Sequence, residues 1–531
     1  MRSEAKATLW VAIAVTVVLV GHVLVPFNFD NDLYQTIGFQ LVHFHRLPYI
    51  SSFDQNFPGI MYIHAGIIAL FGNNEISFRS FETVLHIISA IVLFVLLRGW
   101  ISDRAAALSV LLSCVYYDLG GVWFGGQRDG IAFFFVLISA LLVYRIKDTP
   151  PNKLIRAKAF ILVSAIGILA GIAIIIRPTN GLFALVLLIA LWLIGGEHKY
   201  SFSAIYIFGI LSVCVAAFAP YYGINGGLLR VYDCIIRFNT EVYTASNNDL
   251  TFIEMMKKPQ EIFVDIVLVS SLIYLYINRK KYGLAISKGA RSGNFDIFII
   301  VGFYLSCRIP IIIMRKLLGY QFEVAATMSM VPIAIAIDSV FSRLRSRAVS
   351  QVGPVVLILA LTIIVYPWHY VLNFFEGVSR HVDDPVTYSH IANPRTWFDT
   401  LLVDDHRVLQ FLQAPGNTNG QIECQGFFSG LYWRSEREPS SAFTYIGPLA
   451  MTSPNGKTSL QRRWEQEFLD SLRVVKPAFL IISRSKYNTP LFYKLPPNEE
   501  LALIPGFDSL LQSNYGHDTD IGSWIIYRAK H

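Results

Sequence analysis

The stretch 28-NFDNDLYQTIGFQLVHFHRLPYISSFDQNFPG-59 sets three aspartates, two histidines and one arginine between long apolar runs. Its meaning depends on which solvent surrounds it. Of the 531 residues, 54% are hydrophobic and only 15% are charged, which is too apolar for an ordinary soluble protein and fits a polytopic membrane protein. The formal charge of +7 is spread over short loops and forms no single basic run, so it does not read as a nucleic-acid signal.

Apolar spans of about 17–25 residues mark bilayer crossings. The first covers 7–27, just before the quoted stretch. Arg2 and Lys6 precede it and no small-residue cleavage site follows, so it is expected to remain as an uncleaved first helix. Further spans are expected at 76–97, 105–119, 128–145, 159–176, 180–196, 203–222, 262–278, 294–312, 322–341 and 353–371, eleven crossings in all. Lys and Arg then fall on alternate loops: Arg98 and Arg104, the 145–158 cluster, Lys199, the 279–291 cluster, and Arg343, Arg345 and Arg347. By the positive-inside rule those loops and the N-terminus are cytoplasmic. The segment 28–75, the loop 222–262 and the tail after 372 are therefore expected on the opposite face, periplasmic in a bacterium or lumenal in a eukaryote.

The expected organisation is a helical membrane domain over 1–375 and a soluble domain over 376–531. The tail alternates helix-like runs ("DTLLVDDHRVLQFLQ", "RRWEQEFLDSLRVV") with strand-like ones ("AFLIISR", "SWIIYRA"), which predicts a small α/β domain. Cys424 is the tail's one cysteine, leaving a bridge to Cys234 in the outward loop as an open alternative. No repeat, dinucleotide fingerprint, Walker motif or zinc motif is present.

Within the quoted stretch, "DLYQTIGFQLVHF" carries Leu33, Ile37, Phe39, Leu41 and Phe44 roughly on one helical face, as expected of a helix lying in the interface plane. "PGIMYIHAGIIALFG" follows as a second piece, too short to span. Asp30, Asp32 and Asp54 each read alone as a solvated charge or a helix cap. Grouped at the membrane surface near His43, His45 and Arg46, they suggest a site in which a carboxylate acts as general base toward a hydroxyl.

The cations suggest its partner. Arg79, Arg128, Arg177, Arg308, Arg315 and Lys316 all sit near the outer ends of crossings. A guanidinium at bilayer depth costs roughly 2.5–3.5 kcal/mol, so it faces a cavity or a partner. Snorkelling, or pairing with acids such as Asp129 or Glu323, is the plain alternative for each. Together they describe an anion site, because Arg holds phosphate in a bidentate grip. A carboxylate and a phosphate site at membrane level imply a lipid-tailed, phosphorylated substrate with a reactive group, and a polyprenyl-phosphate sugar fits.

At these residues the sequence resembles the GT-C superfamily of integral-membrane glycosyltransferases, in the branch related to protein O-mannosyltransferases and the bacterial lipid A aminoarabinose transferase. The family pattern D-E-x-x-Y, G-x-P-Y, D-x-x-x-x-P, F-G-x-x-x-x-x-x-R reads here as Asp30-Asn31-Asp32-Leu33-Tyr34, Leu47-Pro48-Tyr49, Asp54 to Pro58, and Phe71-Gly72 with Arg79. "GQRDG" (126–130), "RPTNG" (177–181) and "RKLLGYQFEVAATMSMVP" (315–332) are similar to later family positions, and "GFFSGLYWRSEREPSSAFTYIGPL" (426–449) to its periplasmic module. The resemblance implies that Asp30 activates the acceptor with Asp54 close by and Asp32 as a further acid. It implies donor-phosphate binding by the cations named above, and substrate contacts from Tyr34, Gln127, Asp129, Tyr320 and Gln321. Two departures stand out: Asn31 replaces the usual glutamate, and Gln321 replaces the histidine expected after Tyr320.

The expected activity is an inverting transfer from a polyprenyl-phosphate sugar to a hydroxyl of a glycolipid, an envelope polysaccharide or a protein. A flippase or secondary transporter is the alternative, but repeated halves and midplane acids, which it requires, are not seen in the sequence. The implied partners are the lipid-linked donor, the acceptor and membrane lipid. The sequence establishes no cofactor. A divalent cation is an open possibility, since Asp30, Asp54, His43, His45 and His64 are ligand types, although the His-x-His spacing points the two rings apart on a helix.

Overall fold

Nine of the eleven expected spans fall on residues described by the computed structural model, and each lies on a helix. The structure describes residues 2–148, 156–244, 292–314, 323–342, 368–395, 397–426, 429–451, 456–485 and 495–530. The span 262–278, and 353–371 apart from its last four residues, lie outside them. The helices are α1 (Arg2–Leu19), α2 (Phe29–His43), α3 (Gly59–Phe71), α4 (Glu75–Leu97), α5 (Asp103–Gly120), α6 (Arg128–Asp148), α7 (Arg156–Ile176), α8 (Gly181–Ile194), α9 (Lys199–Phe218), α10 (Gly227–Tyr232), α11 (Ser292–Met314) and α12 (Glu323–Ser342). A π-helix follows α10 over Asp233–Tyr243.

Among the described residues five helical stretches are long and apolar enough to cross a bilayer: Glu75–Leu97, Asp103–Trp123, Arg128–Asp148, Ala157–Ile176 and Gly196–Gly223. Shorter apolar stretches lie over Pro178–Ile194, Phe298–Ile313 and Glu323–Ile335. Pro310 and Pro332 sit inside α11 and α12. Membrane helices tolerate this, because neighbouring side chains and local adjustments satisfy the freed carbonyls. The protein is an integral membrane protein.

Chain contacts divide the molecule into two compact units. The first takes Met1–Val25, Arg79–Ala217 and Asp249–Pro367. Within it α5 packs along α12 and α1, α6 against α7 and α8, and α8 against α11. The second takes Pro26–Phe78, Phe218–Asn248 and Trp368–His531. The tail thus shares its unit with the loops at 26–78 and 218–248, the segments that charge alternation groups on one face.

The second unit holds a four-stranded sheet of order β1-β2-β4-β3, built from Ile422–Gln425, Phe479–Ser483, Tyr515–Ile521 and Trp524–Ala529 as β1 to β4. β1 pairs parallel to β2, while β4 runs antiparallel to both β2 and β3. Ile422, Cys424, Phe479, Ile481, Trp524 and Ile526 bury one core with Val408 and Leu412 of the helix Trp397–Gln413. The helix Ser459–Val475 begins at a capping box, in which the Thr458 hydroxyl accepts from Gln461 N and the Gln461 side chain accepts from Thr458 N. Cys234 and Cys424 are both free thiols, so the bridge left open by the sequence does not form.

One expectation is corrected. α2 does not lie with a single apolar face covered: every residue from Asn31 to Gln40 is buried. Three polar side chains on its other faces find partners within the unit. Gln35 Nε2 donates to Asn73 Oδ1 at 2.9 Å, Thr36 Oγ1 to the Ser429 carbonyl at 2.9 Å, and Gln40 Nε2 to Ser52 Oγ at 2.5 Å. Packing against α3 and the helix Gly430–Arg434 replaces the solvent that an interfacial helix would face.

Candidate active site

In the second unit, Asn28 caps α2: its side chain accepts from Asn31 N at 3.0 Å and from Asn31 Nδ2 at 2.6 Å. That cap fixes the first helical turn, on which Asp30 stands half-buried and Asp32 fully buried. The free amides of a helix N-terminus favour carboxylates in this turn. The two acids nonetheless have different surroundings. Asp32 Oδ1 accepts from the Trp433 indole at 3.1 Å and meets Arg434 Nη2 at 3.0 Å. Burial pushes its carboxyl up to about 6, partly offset by the Arg434 charge. Arg434 also bonds Glu75 Oε1 at 2.6 Å. Asp32 therefore fastens α2 to the tail, while Asp30 keeps exposed surface.

Asp54 lies in the irregular stretch after the L-P-Y sequence and is fully buried. Its Oδ1 accepts from Asn56 N at 2.7 Å, a side-chain turn of the kind aspartate forms readily. Asn56 Nδ2 donates to Tyr34 OH at 3.2 Å, and Tyr49 OH donates to the Asn56 carbonyl at 2.5 Å. Tyr34 is one helical turn after Asp30, so the Asp54 turn is tied to the Asp30 helix. Tyr49 adopts φ 65°, the left-handed region that a bulky residue enters only when its surroundings impose it. Those surroundings are explicit: Tyr49 N donates to the Ser52 carbonyl at 2.8 Å, and Arg230 Nε donates to the Tyr49 carbonyl at 3.1 Å. Asn239 of the π-helix donates to the Gln55 carbonyl at 2.8 Å, and Phe53 packs edge-on to Phe238 at 4.8 Å.

The histidines do not gather around these acids. His43 and His45 are exposed, while His64 is buried, stacked on Phe78 at 3.8 Å and bonded through Nδ1 to Gln35 Oε1 at 2.8 Å. Among the described residues no group of three or more His, Cys, Asp or Glu side chains could hold a metal ion.

In the first unit the candidate cations separate into distinct settings. Arg79 is fully buried; its Nε donates to the Val25 carbonyl at 2.8 Å and its Nη1 to Glu82 Oε2 at 2.7 Å. Glu82 Oε1 accepts from Tyr117 OH at 2.6 Å and also from Gly126 N. This buried cluster positions the start of the G-Q-R-D-G sequence. There Gln127 is buried, and Arg128 opens α6 with part of its surface exposed. Asp129 forms an ion pair with Arg177, the pairing the sequence offered as the plain alternative. Arg177 Nε donates to Thr179 Oγ1 at 3.0 Å. Arg177 and Arg308 are both buried, and the charge of each reaches the Cys307 thiol. Arg315, Lys316, Tyr320 and Gln321 lie outside the described residues.

Several residues of this machinery carried no local signal in the sequence. Arg434, Trp433, Glu75 and Glu82 act through partners distant in the chain, and Asn239 belongs to a π-helix that hydrophobic periodicity does not reveal.

Residues 55–223 match the profile of the Dolichyl-phosphate-mannose-protein mannosyltransferase family. The match begins one residue after Asp54 and includes Arg79, Gln127, Arg128, Asp129 and Arg177. A search of curated proteins finds no match. Among solved structures, the chain is similar to ArnT from Cupriavidus metallidurans bound to undecaprenyl phosphate. Identity is 13%, the TM-score is 0.56, and 98% of each chain is covered. The apo state of the same protein matches at 13% identity and TM-score 0.51, covering 99% of this chain and 98% of that one. The apo oligosaccharyltransferase of Archaeoglobus fulgidus matches at 10% identity and TM-score 0.51, covering 97% of this chain and 72% of that one. The protein has the polytopic GT-C fold of these enzymes.

Proposed function

We propose that the protein is a glycosyltransferase that moves a sugar from a polyprenyl-phosphate donor to a hydroxyl acceptor. The observation that carries this reading is the fold shared over the whole chain with an enzyme solved with undecaprenyl phosphate bound. The family match over 55–223 supports it, since that family is named for a lipid-phosphate sugar donor. The local chemistry agrees. Asp30, on a capped first turn and with exposed surface, is the general base that takes the proton of the acceptor hydroxyl. As that oxygen bonds to the anomeric carbon, the bond from that carbon to the donor phosphate breaks and polyprenyl phosphate departs. Arg128, Arg177 and Arg308 are the candidates to stabilise the charge on the departing phosphate. One displacement with no enzyme nucleophile inverts the anomeric centre. Asp32 and Asp54 act by holding the Asp30 helix and the turn beside it.

Charge alternation supports a cytoplasmic N-terminus and a tail on the opposite face; the proposed setting is a bacterial inner membrane, with transfer on the periplasmic face. The acceptor class is a glycolipid, an envelope polysaccharide or a protein hydroxyl, and the donor sugar is a hexose or a pentose. The test is to supply purified protein in lipid vesicles with radiolabelled polyprenyl-phosphate sugars and membrane-extract acceptors, then read product and anomeric configuration. Acceptor-dependent release of polyprenyl phosphate with an inverted linkage is the expected result. Movement of the donor across the bilayer without transfer would overturn the reading in favour of a flippase.

A further inference from the structure

Inside the first unit, residues of α1, α4, α5, α6 and α12 line a half-open pocket of about 50 Å³ that none of the proposed chemistry uses. Its wall is mostly apolar, with Leu93, Phe133 and Leu137 among the lining residues. Set into that wall are His86, Ser89 and Glu323. Glu323 is 6% exposed and Ser89 is 9% exposed. Among the described residues, Glu323 Oε2 and Ser89 Oγ each have no hydrogen-bond partner. Two buried acceptors thus line one pocket, an arrangement that costs free energy unless a ligand or water satisfies them.

The charges around the pocket define what is missing. Glu82 is paired with Arg79, and Asp129 with Arg177. His86 Nε2 lies 3.8 Å from Glu82 Oε1, so the nearest imidazole is turned toward a different acid. Arg177 acts on Glu323 only at longer range, without forming an ion pair with it among the described residues. Gly130 leaves the carboxylate its space: a Cβ there would come within 2.5 Å of Glu323 Oε1 and 2.8 Å of His86 Cε1. A lone acid in an apolar wall between spanning helices calls for a cationic, hydrogen-bond-donating partner. The apolar lining excludes a small hydrophilic cation as the natural occupant, because most of its hydration would be lost uncompensated.

We infer that this pocket binds an amine-bearing lipid, its primary ammonium on Glu323 and Ser89 and its apolar part along Leu93, Phe133 and Leu137. The site is independent of the sugar-transfer reading: a lipid bound there accompanies the protein whatever reaction it performs.

The probe is phosphatidylethanolamine, competed against phosphatidylcholine and phosphatidylglycerol on the purified full-length protein in detergent micelles, with retained lipid read by native mass spectrometry. Wild type is expected to retain one phosphatidylethanolamine about tenfold more than either competitor, the value of one charge-assisted hydrogen-bonded contact. Glu323→Gln is expected to abolish that preference, because the amide keeps the shape and loses the charge. Ser89→Leu, which fills the pocket and leaves the acid, is expected to reduce retention at an unchanged melting temperature, and it serves if the first variant does not fold. Equal retention of the three lipids by wild type, or an undiminished preference in both folded variants, would overturn the assignment and leave a water-filled pocket.

Discussion

Arg434 Nη2 sits 3.0 Å from Asp32 Oδ1, an acid with no exposed surface. The adjacent Trp433, 401 residues further along the chain than Asp32, donates to the same oxygen. The helix that carries Asp30 is thereby held by the tail. Removing one partner of a buried pair leaves an uncompensated charge, so Arg434→Gln is expected to cost about 3–5 kcal/mol of unfolding free energy. Asp32→Asn combined with Arg434→Gln should cost less than the sum of the single changes, as read by denaturant titration in micelles. Strict additivity would show that the two residues do not act as a pair.

Three buried carboxyls in the second unit make its stability depend on pH. Burial raises Asp32 from 3.8 to about 6, Asp405 from 3.8 to about 7 and Glu423 from 4.5 to about 7. Each holds its proton in the folded state at pH values where the unfolded chain has already released it. The folded state therefore binds more protons, and stability falls as pH rises from about 4 to about 7, then levels off. Glu423 accepts from Ser440 at 2.5 Å, Gln425 at 2.7 Å and Ser441 at 2.9 Å. An amide oxygen can accept from Gln425 and Ser441 while its NH2 donates to the Ser440 hydroxyl, so Glu423→Gln should flatten part of the slope. Thermal melts across that range check both statements, and a slope of opposite sign would contradict them.

Asn239 ties the π-helix to the Asp54 turn through the Gln55 carbonyl at 2.8 Å, and it also bonds the Ile235 carbonyl at 2.7 Å. Asn239→Ala removes both donors from a part-buried site and is expected to cost about 1–3 kcal/mol. Proteolysis should accelerate at residues 50–58 before the rest of the unit opens. Unchanged protection there would mean that the turn is held by Phe53 and Tyr49 alone.

Gly125 faces the buried Arg79, whose Nη1 would lie 2.5 Å from an added Cβ. That guanidinium is fixed by the Val25 carbonyl and by Glu82, so it cannot retreat cheaply. Gly125→Ala is expected to destabilise the first unit by about 1–3 kcal/mol, measured as a lower melting temperature of the purified protein. A neutral outcome would show that Arg79 is loosely held and available for another role.

The membrane helices were legible because hydropathy over a bilayer-length window is a strong, local signal: nine expected spans lie on described helices, and five of those are long and apolar enough to cross a bilayer. In the tail, the runs AFLIISR and SWIIYRA became β2 and β4, since their apolar residues reach the core directly. β1 went unread because a four-residue strand containing Glu423 does not alternate, and β3 because its sequence, YGHDTDI, is that of a polar edge. Asp30 and Asp54 could be singled out by type and order along the chain. The different task of Asp32 could not, because it is set by Trp433 and Arg434, which only folding brings to it. The same reason hid the Glu82 cluster, whose partners come from α4, the end of α5 and the loop after it.

The central claim is that Asp30 activates the acceptor. The measurement that tests it most directly is sugar transfer by Asp30→Asn against wild type, with donor binding and melting temperature followed on the same samples. A loss of about a hundredfold or more in transfer, with donor affinity and stability kept, is the expected result for a general base. Transfer at the wild-type rate would contradict the assignment and move the base to another carboxylate.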